Sequence, residues 1–297
     1  MVPDHLVIVC GHAIWLGGPK NGWDEAEWLI EGYKRGETPT YIEHIKAGVQ
    51  ILSQDENAVL VFSGGPTRKE TSLSEARSYH NLAIANSYFG LFAPPATHQT
   101  QQQTNNSTLT PDSDPNPNPG LDVVDFPGRP AQLLGGRILL EERALDSYHN
   151  ILFSLVDFWR AHAVWPERLT IVSHGFKRSR LVGGHCAAIG FVPLERVRFV
   201  GINPPGMDGN GDVKGGGEWE KREAMQGVQL ALGQWKDDPH GVGEALAGKR
   251  RARNCWGVQQ RLFEDEEERL QSCVDVRVLE DGSEALLEGG RRPWARG

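Results

Sequence analysis

The sequence has few cysteines, no excess of positive charge and no long apolar run, and each shortage excludes a class of protein. The four cysteines among 297 residues are far apart and form no Cys-x-x-Cys pair, which gives no support to a disulfide framework or a zinc site. The 31 basic and 39 acidic residues give a net charge of −8. This balance argues against a surface that neutralises a phosphate backbone, so nucleic acid is not expected as a partner.

Membrane and secretion signals are also missing. No segment approaches the roughly 20 apolar residues that span a bilayer. The most apolar segments are 6–10 and 151–159, and Asp157 interrupts the second. The start, Met1 to His5, lacks the basic region and the following apolar region of a signal peptide. We therefore expect no membrane span and a reducing, cytoplasmic setting.

Turn-forming residues are abundant. The chain contains 35 Gly and 18 Pro, with 39% hydrophobic and 24% charged residues. This composition is typical of a globular α/β protein with many loops and excludes a coiled coil or an all-helical bundle.

Strand and helix patterns alternate along the first two thirds of the chain. Short, β-branched apolar runs without polar alternation are typical of buried strands, and helical apolar spacing follows each of the first four. Such alternation predicts parallel strand pairing with helices on both faces, which is an α/β/α arrangement around a mostly parallel sheet of about five strands. The predicted strands are 5–10, 58–62, 137–141, 169–173 and 197–202, and the predicted helices are 40–53, 72–88, 144–161 and 177–188.

One segment interrupts this alternation. Residues 93–120 are rich in Pro, Gln and Asn, and their only charges are Asp112 and Asp114. Such a segment buries too little apolar surface to offset its ordering entropy. We interpret 93–136 as a largely disordered insertion in a surface loop, because the strand and helix pattern resumes after it.

The insertion lies within a single α/β domain, predicted over 1–205. Residues 206–297 are expected to form a C-terminal extension packed on that domain, with a helix over 218–232 and a frayed end over the last ten residues. The five consecutive acids at 264–268 are interpreted as the solvated face of an exposed helix.

The predicted sheet also gives the place of a binding site. In an open parallel sheet the ligand crevice lies beyond the carboxyl ends of the strands, where the strand order reverses. Small residues there let backbone amides approach an anion, and helix N-termini add partial positive charge. We therefore expect a ligand near the residues that end the strands, which are Gly11, His12, Ser63, Gly64, Gly65, Glu141, Ser173 and His174.

Polar residues on the following helices extend this candidate site. Lys177 and Arg180 lie one turn apart at a predicted helix start, where cations are disfavoured, so they indicate an anionic ligand or carboxylate partners. They could instead be surface charges over a sheet edge. Ser147 and Asn150 share one helix face that could point at the crevice. Glu75 could face the site or complete a capping box with Ser72 as N-cap.

Taken in order, these segments resemble a known family. They are Gly11; Ser63-Gly64-Gly65 with Ser74-Glu75-Ala76; Glu141 with Ser147 and Asn150; and Val172-Ser173 with Phe176, Lys177 and Arg180. Their order and spacing over about 5–202 resemble the motifs of the YdcF-like proteins, catalogued as domain of unknown function 218. The tail residues 238–241 and 249–254 are similar to those of the fungal branch of that group.

The resemblance implies a Rossmann-like three-layer domain whose motifs meet at one pocket, with proposed binding of a nucleotide or of S-adenosylmethionine in a bacterial member. Other members are linked to envelope biogenesis, and no general reaction is established for the family. Here Ser147-His149-Asn150 replaces the usual Thr-Glu-Asn signature, and Lys177 replaces the usual His. Chemistry that depends on that His would require His174 as a substitute.

Three classes of function follow. The first is a pocket that binds a small anionic or nucleotide-like ligand such as S-adenosylmethionine. The second is a hydrolase or transferase, with His12 or His174 as general base and Glu75 or Glu141 as its partner. The third is a non-catalytic interaction protein that uses the acidic tail and the tryptophans at positions 15, 23 and 28.

The same residues offer two further kinds of chemistry. Ser63 could act as a nucleophile at the end of its strand, but the Gly-x-Ser-x-Gly pattern is absent. His12, His174 and Glu75 have ligand types that suit a metal ion, but dispersed histidines are usually structural or exposed. We therefore predict no metal site and leave protein partners open.

Overall fold

The computed structural model describes residues 2–92, 134–205, 207 and 218–295. Most of the insertion predicted over 93–136 lies outside these residues. Within the described part of the chain, no helix has both the length and the apolar character needed to cross a membrane.

The centre of the fold is a five-stranded sheet in which all strands are parallel. The strand order is β3-β2-β1-β4-β5, so the chain moves outward in one direction from β1 and then crosses back to the other side before β4. The strands are β1 (His5–Cys10), β2 (Ala58–Ser63), β3 (Ile138–Glu141), β4 (Arg168–Ser173) and β5 (Val197–Gly201).

Helices cover both faces of this sheet and produce three layers. The helices are α1 (Thr38–Gln54), α2 (Glu75–Ala85) and α3 (Ser147–His162). On β1, Val7 and Val9 pack on α1 and α2, whereas Leu6 and Ile8 point to the opposite face and pack on α3. This architecture confirms the predicted α/β/α Rossmann-like fold with a parallel sheet of five strands.

The helix predicted over 177–188 is irregular. A single 3-10 turn at Gly175–Lys177 precedes a π-helical segment at Ser179–Cys186, and a short helix α4 at Ala187–Ile189 completes the connection. The wider π-helical turn is common at functional sites. Here it carries Arg180 at the end of the sheet where β1 and β4 stop.

The C-terminal region forms helices α5 (Glu218–Asp237), α6 (Glu244–Arg253) and α7 (Glu266–Ser272), followed by a hairpin of β6 (Val276–Val278) and β7 (Glu284–Leu286). Helix α5 runs five residues beyond the predicted end. Seven buried apolar side chains from α5 onward belong to the same core as α3 and the sheet. They are Trp235, Leu246, Leu262, Phe263, Val274, Leu286 and Trp294.

The end of the described chain is packed. Trp294 is 1% exposed, and its indole nitrogen donates a hydrogen bond of 3.1 Å to the carbonyl of Ile189. The expected fraying of the last ten residues is therefore wrong at this position, because a large aromatic ring so near the end of the chain fills a gap in the core.

Candidate functional site

A cavity of about 290 Å³ lies at the carboxyl ends of β1 and β4. The strand order reverses between these two strands, which is where open α/β sheets bind ligands. Residues from the sheet end, the loop after β1, α3 and the C-terminal helices enclose it. The polar and charged lining residues are His12, Glu31, Tyr33, Lys34, Thr67, Glu75, Asp146, Ser147, Asn150, Ser173, Lys177, Arg180, Lys249, Arg250 and Arg253.

The cavity wall is strongly cationic. Six Lys and Arg side chains line it against three carboxylates, which gives a formal charge of +3 in a chain whose net charge is −8. Clefts of one sign of charge concentrate ligands of the opposite sign. The wall therefore favours an anion.

Some of these cations already have carboxylate partners. Lys34 pairs with Glu31 at 2.7 Å and also donates to the carbonyl oxygen of His12 at 2.6 Å. Arg250 on α6 pairs with Asp146 at 3.0 Å. Although burial acts to raise it, contacts with His149 and Arg250 lower the pKa of Asp146. Asp146 also caps α3, so this pair joins α6 to the start of α3.

Lys177 and Arg180 have no carboxylate partner among the described residues. The Nε atom of Arg180 is buried without a hydrogen-bond partner there. Burial and the nearby Arg253 lower the pKa of Arg180, whereas burial together with Arg180 and Lys34 lowers the pKa of Lys177 to about 7. Two cations therefore lie close together at the cavity, and among the described residues no carboxylate is in ion-pair contact with either.

His12 lies between the cavity and the sheet. Its Nδ1 atom is 3.1 Å from Nζ of Lys177, and its Nε2 atom is 3.2 Å from Oγ of Ser173. Burial, followed by the charge of Lys177, keeps the pKa of His12 well below its ordinary value. The imidazole is therefore neutral at pH 7 and connects Lys177 to the end of β4.

Glu75 is the first residue of α2 and faces the cavity. Its Oε1 atom accepts a hydrogen bond of 2.8 Å from Thr67, and burial raises the pKa of its carboxyl. The capping-box interpretation is wrong, because Ser74 and not Ser72 is the N-cap and accepts from the amide of Arg77 at 2.9 Å. With the helix starting after Ser74, Glu75 lies on the side of α2 that contacts the end of β1.

The three strand-end glycines do not present free amides. The amide of Gly11 donates to the carbonyl of Ser63 at 2.8 Å, that of Gly64 to Glu141 at 3.0 Å and that of Gly65 to Ala144 at 2.7 Å. The prediction that these amides face an anion is therefore wrong. Their small size has a packing role, since a Cβ on Gly11 or Gly64 would lie within 3 Å of the Glu75 side chain.

Ser63 and Glu141 lie behind the cavity wall in a buried polar cluster. The hydroxyl of Ser63 donates to Glu141 at 2.7 Å and lies 3.2 Å from the amide oxygen of Asn150. Glu141 also accepts from the amides of Arg143 and Ala144, and burial with the nearby charge of Asp157 raises its pKa to about 7. The cluster fixes the loop that leads into α3, so Ser63 is not placed as a nucleophile at the cavity.

His174 also lies behind the wall. Its ring stacks on His12 with a centroid distance of 4.3 Å and on Phe176 with a distance of 5.0 Å. It is 3% exposed and is not part of the cavity lining. A general base must reach its substrate, so the predicted role of His174 as a base is not supported by this position.

Other predicted residues do meet at the cavity, namely Gly11, His12, Glu75, Ser147, Asn150, Ser173, Lys177 and Arg180. Ser147 additionally bonds His185 at 2.9 Å. The sequence prediction missed Lys34, Asp146, Lys249, Arg250 and Arg253, all of which line the cavity. The basic run at 249–253 was visible in the sequence, but no pattern connected it to strands more than 70 residues earlier.

The chain is similar to the uncharacterized protein YOR238W of Saccharomyces cerevisiae. The two are 25% identical over 268 aligned residues, which cover 84% of this chain and 83% of the yeast protein. No family model matches the chain, and no solved structure matches it. Functional inference therefore depends on the geometry of the cavity.

Proposed function

We propose that the cavity binds a small anionic ligand that carries at least one phosphate group. The observation that carries this proposal is that Lys177 and Arg180 face the cavity without a carboxylate partner among the described residues. Unpaired cations held in an enclosed site are unfavourable unless a ligand compensates them. Arg in particular suits phosphate, because its planar guanidinium can form two parallel hydrogen bonds with phosphate oxygens.

The apolar part of the wall supports a ligand with more than a phosphate group. Leu145, Leu181, Trp235 and Leu246 line the cavity beside the cations. A volume of about 290 Å³ is near the lower limit for sites that take small organic molecules. This combination favours a phosphorylated metabolite or a mononucleotide. It favours S-adenosylmethionine less, because that molecule carries no phosphate group for Lys177 and Arg180 to bind.

Calorimetry of the full chain against phosphate, pyrophosphate, AMP, ADP, ATP and S-adenosylmethionine would test the proposal. We expect a phosphate-bearing compound to bind and Arg180→Gln to weaken it by at least about tenfold, since a charged hydrogen bond contributes about 1.5–3 kcal/mol. Arg178→Gln is the matched control, because Arg178 is exposed two residues away. The proposal fails if none of these compounds binds, or if both variants bind the compound as the native chain does.

A phosphoester hydrolase or transferase is the second candidate. It is favoured by the position of Glu75, whose carboxyl has a raised pKa and lines the same cavity as the cations. A protonated carboxyl could protonate a leaving group, while Lys177 and Arg180 would stabilise charge on the phosphate. Turnover of the bound compound that is lost in Glu75→Gln, with binding retained, would favour catalysis. Binding without turnover would leave a binding protein.

A further inference from the structure

Three histidines from separate parts of the sequence meet behind the cavity. His12 follows β1, His44 lies in α1 and His174 follows β4. Their exposures are 7%, 0% and 3%, and one ring nitrogen of each lies within 4.8 Å of the others. The ring centroid of His44 lies 5.4 Å from that of His12 and 5.0 Å from that of His174.

Several polar atoms of this cluster have no hydrogen-bond partner among the described residues. They are Nδ1 of His44 and both ring nitrogens of His174. A buried polar atom without a partner costs about 1–3 kcal/mol, and such atoms are rare in native proteins. Three of them on two adjacent rings indicate that a group other than the described residues satisfies them.

The orientation of His44 indicates what that partner is. Its Nε2 atom donates to the carbonyl of Ile202 at 2.9 Å, which places the proton on Nε2 and leaves the buried Nδ1 atom as an unprotonated acceptor. Metal-binding histidines are held in the same way, by donating their other ring nitrogen to a backbone carbonyl or a carboxylate. The carboxylate of Glu37 lies 3.7 Å from Nε2 of His174.

From these contacts we propose that His12, His44 and His174 bind a divalent transition metal ion of the zinc type. Imidazole nitrogens are preferred ligands of zinc, cobalt, nickel and copper ions. The site would be separate from the phosphate-binding cavity, although His12 borders both. The proposal does not depend on the identity of the cavity ligand.

Metal binding requires a rearrangement of the rings. Zinc–nitrogen bonds of about 2.0–2.1 Å in a tetrahedral site bring ligand nitrogens to about 3.4 Å from one another, which is closer than the present limit of 4.8 Å. His12 and His174 also lie nearly parallel, with an interplanar angle of 18°, whereas two ligands of one ion must converge on it. The ion therefore has to turn at least one ring of this stack. It also has to displace one partner of His12, either Nζ of Lys177, now 3.1 Å from Nδ1, or Oγ of Ser173, now 3.2 Å from Nε2.

The test is metal uptake by the full chain in a Cys255→Ser, Cys273→Ser background, which removes the two exposed thiols as competing ligands. After chelation and dialysis, we expect one equivalent of Zn²⁺ by calorimetry and by elemental analysis, and a visible absorption band with Co²⁺. His44→Gln and His174→Gln should each weaken binding by at least about 100-fold, since loss even of an outer partner costs 10–100-fold.

His185→Gln is the matched control, because His185 is 0% exposed and its Nδ1 atom also has no partner in the described part of the chain, yet it lies outside the cluster. It should bind like the parent. If a cluster variant fails to fold, histidine ring nitrogen signals followed by NMR in the parent during Zn²⁺ addition decide the question. Absence of stoichiometric uptake by the parent, uptake that the cluster variants retain, or unchanged ring signals would overturn the proposal.

Discussion

The side chain of Glu75 occupies the space that any side chain at position 11 would need. A Cβ atom built on Gly11 would lie 2.5 Å from Cβ of Glu75 and 2.6 Å from its carboxylate oxygen. The Cβ atom of Glu75 is bonded to the backbone of α2, so a rotation of the side chain cannot move it away. Gly11 therefore allows the start of α2 to approach the end of β1, and this approach brings the Glu75 carboxylate to the cavity.

Gly11→Ala tests this relationship. We expect it to destabilise the fold by about 1–3 kcal/mol, as overpacking does, and to weaken binding of the cavity ligand by moving Glu75. Gly32→Ala is the control, because no atom of the residues that the structure describes lies within 4 Å of the Cβ that it would add. Urea unfolding of the two variants measures the difference. Equal stabilities would show that α2 can shift without cost.

Arg180→Met is expected to stabilise the unliganded protein while it removes anion binding. The change relieves repulsion among Lys177, Arg180 and Arg253 and removes a buried Nε atom that has no hydrogen-bond partner among the described residues. Replacing an uncompensated charge with an apolar side chain of similar length should add about 1 kcal/mol, or a rise in Tm of about 2–4 °C.

Arg143→Met is the opposite case, since Arg143 pairs with Asp157 at 2.6 Å. Its loss leaves a half-buried carboxylate without that partner, and a lower Tm is expected. Thermal unfolding without ligand compares the two variants. A fall in Tm for Arg180→Met would show that Arg180 is structural and would remove its assignment as a ligand group.

The order of strands and helices was predictable because it depends on local apolar patterns. The strands β1, β2 and β4 are buried on both faces over nearly their whole length, so most of their residues are apolar. The position of the cavity followed from the same alternation. Lys177 and Arg180 were found because cations at a helix start are unusual.

The remaining part of the site depends on contacts between distant segments. Arg250 reaches the cavity only because α6 docks on Asp146, 104 residues earlier in the chain. In the sequence, His44 is one polar residue of an amphipathic helix and carries no sign of a site. It lies close to His12 and His174 only in the folded chain. The role of the glycines was misjudged for a similar reason, since their amides bond to neighbouring strands and loops that local sequence does not reveal.

Ser74→Ala should destabilise the protein by about 1–2 kcal/mol, because Ser74 caps α2 and its hydroxyl also donates to Glu142 at 2.6 Å. Ser72→Ala should change stability by less than about 0.5 kcal/mol, since Ser72 is exposed and precedes the cap. Chemical unfolding of both variants measures the two effects. A larger loss of stability for Ser72→Ala than for Ser74→Ala would instead support Ser72 as the N-cap. It would contradict the placement of Glu75 at the cavity.

The stability of the protein should also depend on Glu141 in a defined pH range. Burial and the charge of Asp157 raise the pKa of Glu141 from 4.5 to about 7 in the folded state. The folded protein then holds this proton more tightly than the unfolded chain. The stabilisation is fully present below about pH 4.5 and is lost as pH rises to about 7, with a total of up to about 3 kcal/mol.

Glu141→Gln should abolish this decrease, because a glutamine keeps an acceptor for the amides of Arg143 and Ala144 and does not ionise. The neighbouring Glu142 supplies a control of opposite sign. Although partial burial acts to raise it, hydrogen bonds from Arg77 and Ser74 lower the pKa of Glu142, so its stabilisation is present above about pH 4.5 and is lost on acidification. Free energies of unfolding between pH 4.5 and 8 should therefore fall with pH less steeply in Glu141→Gln than in the native chain, whereas Glu142→Gln should follow the native curve there and depart from it only below about pH 4.5. If the Glu141→Gln curve runs parallel to the native curve, Glu141 is ionised throughout this range and the buried cluster with Ser63 carries a full negative charge.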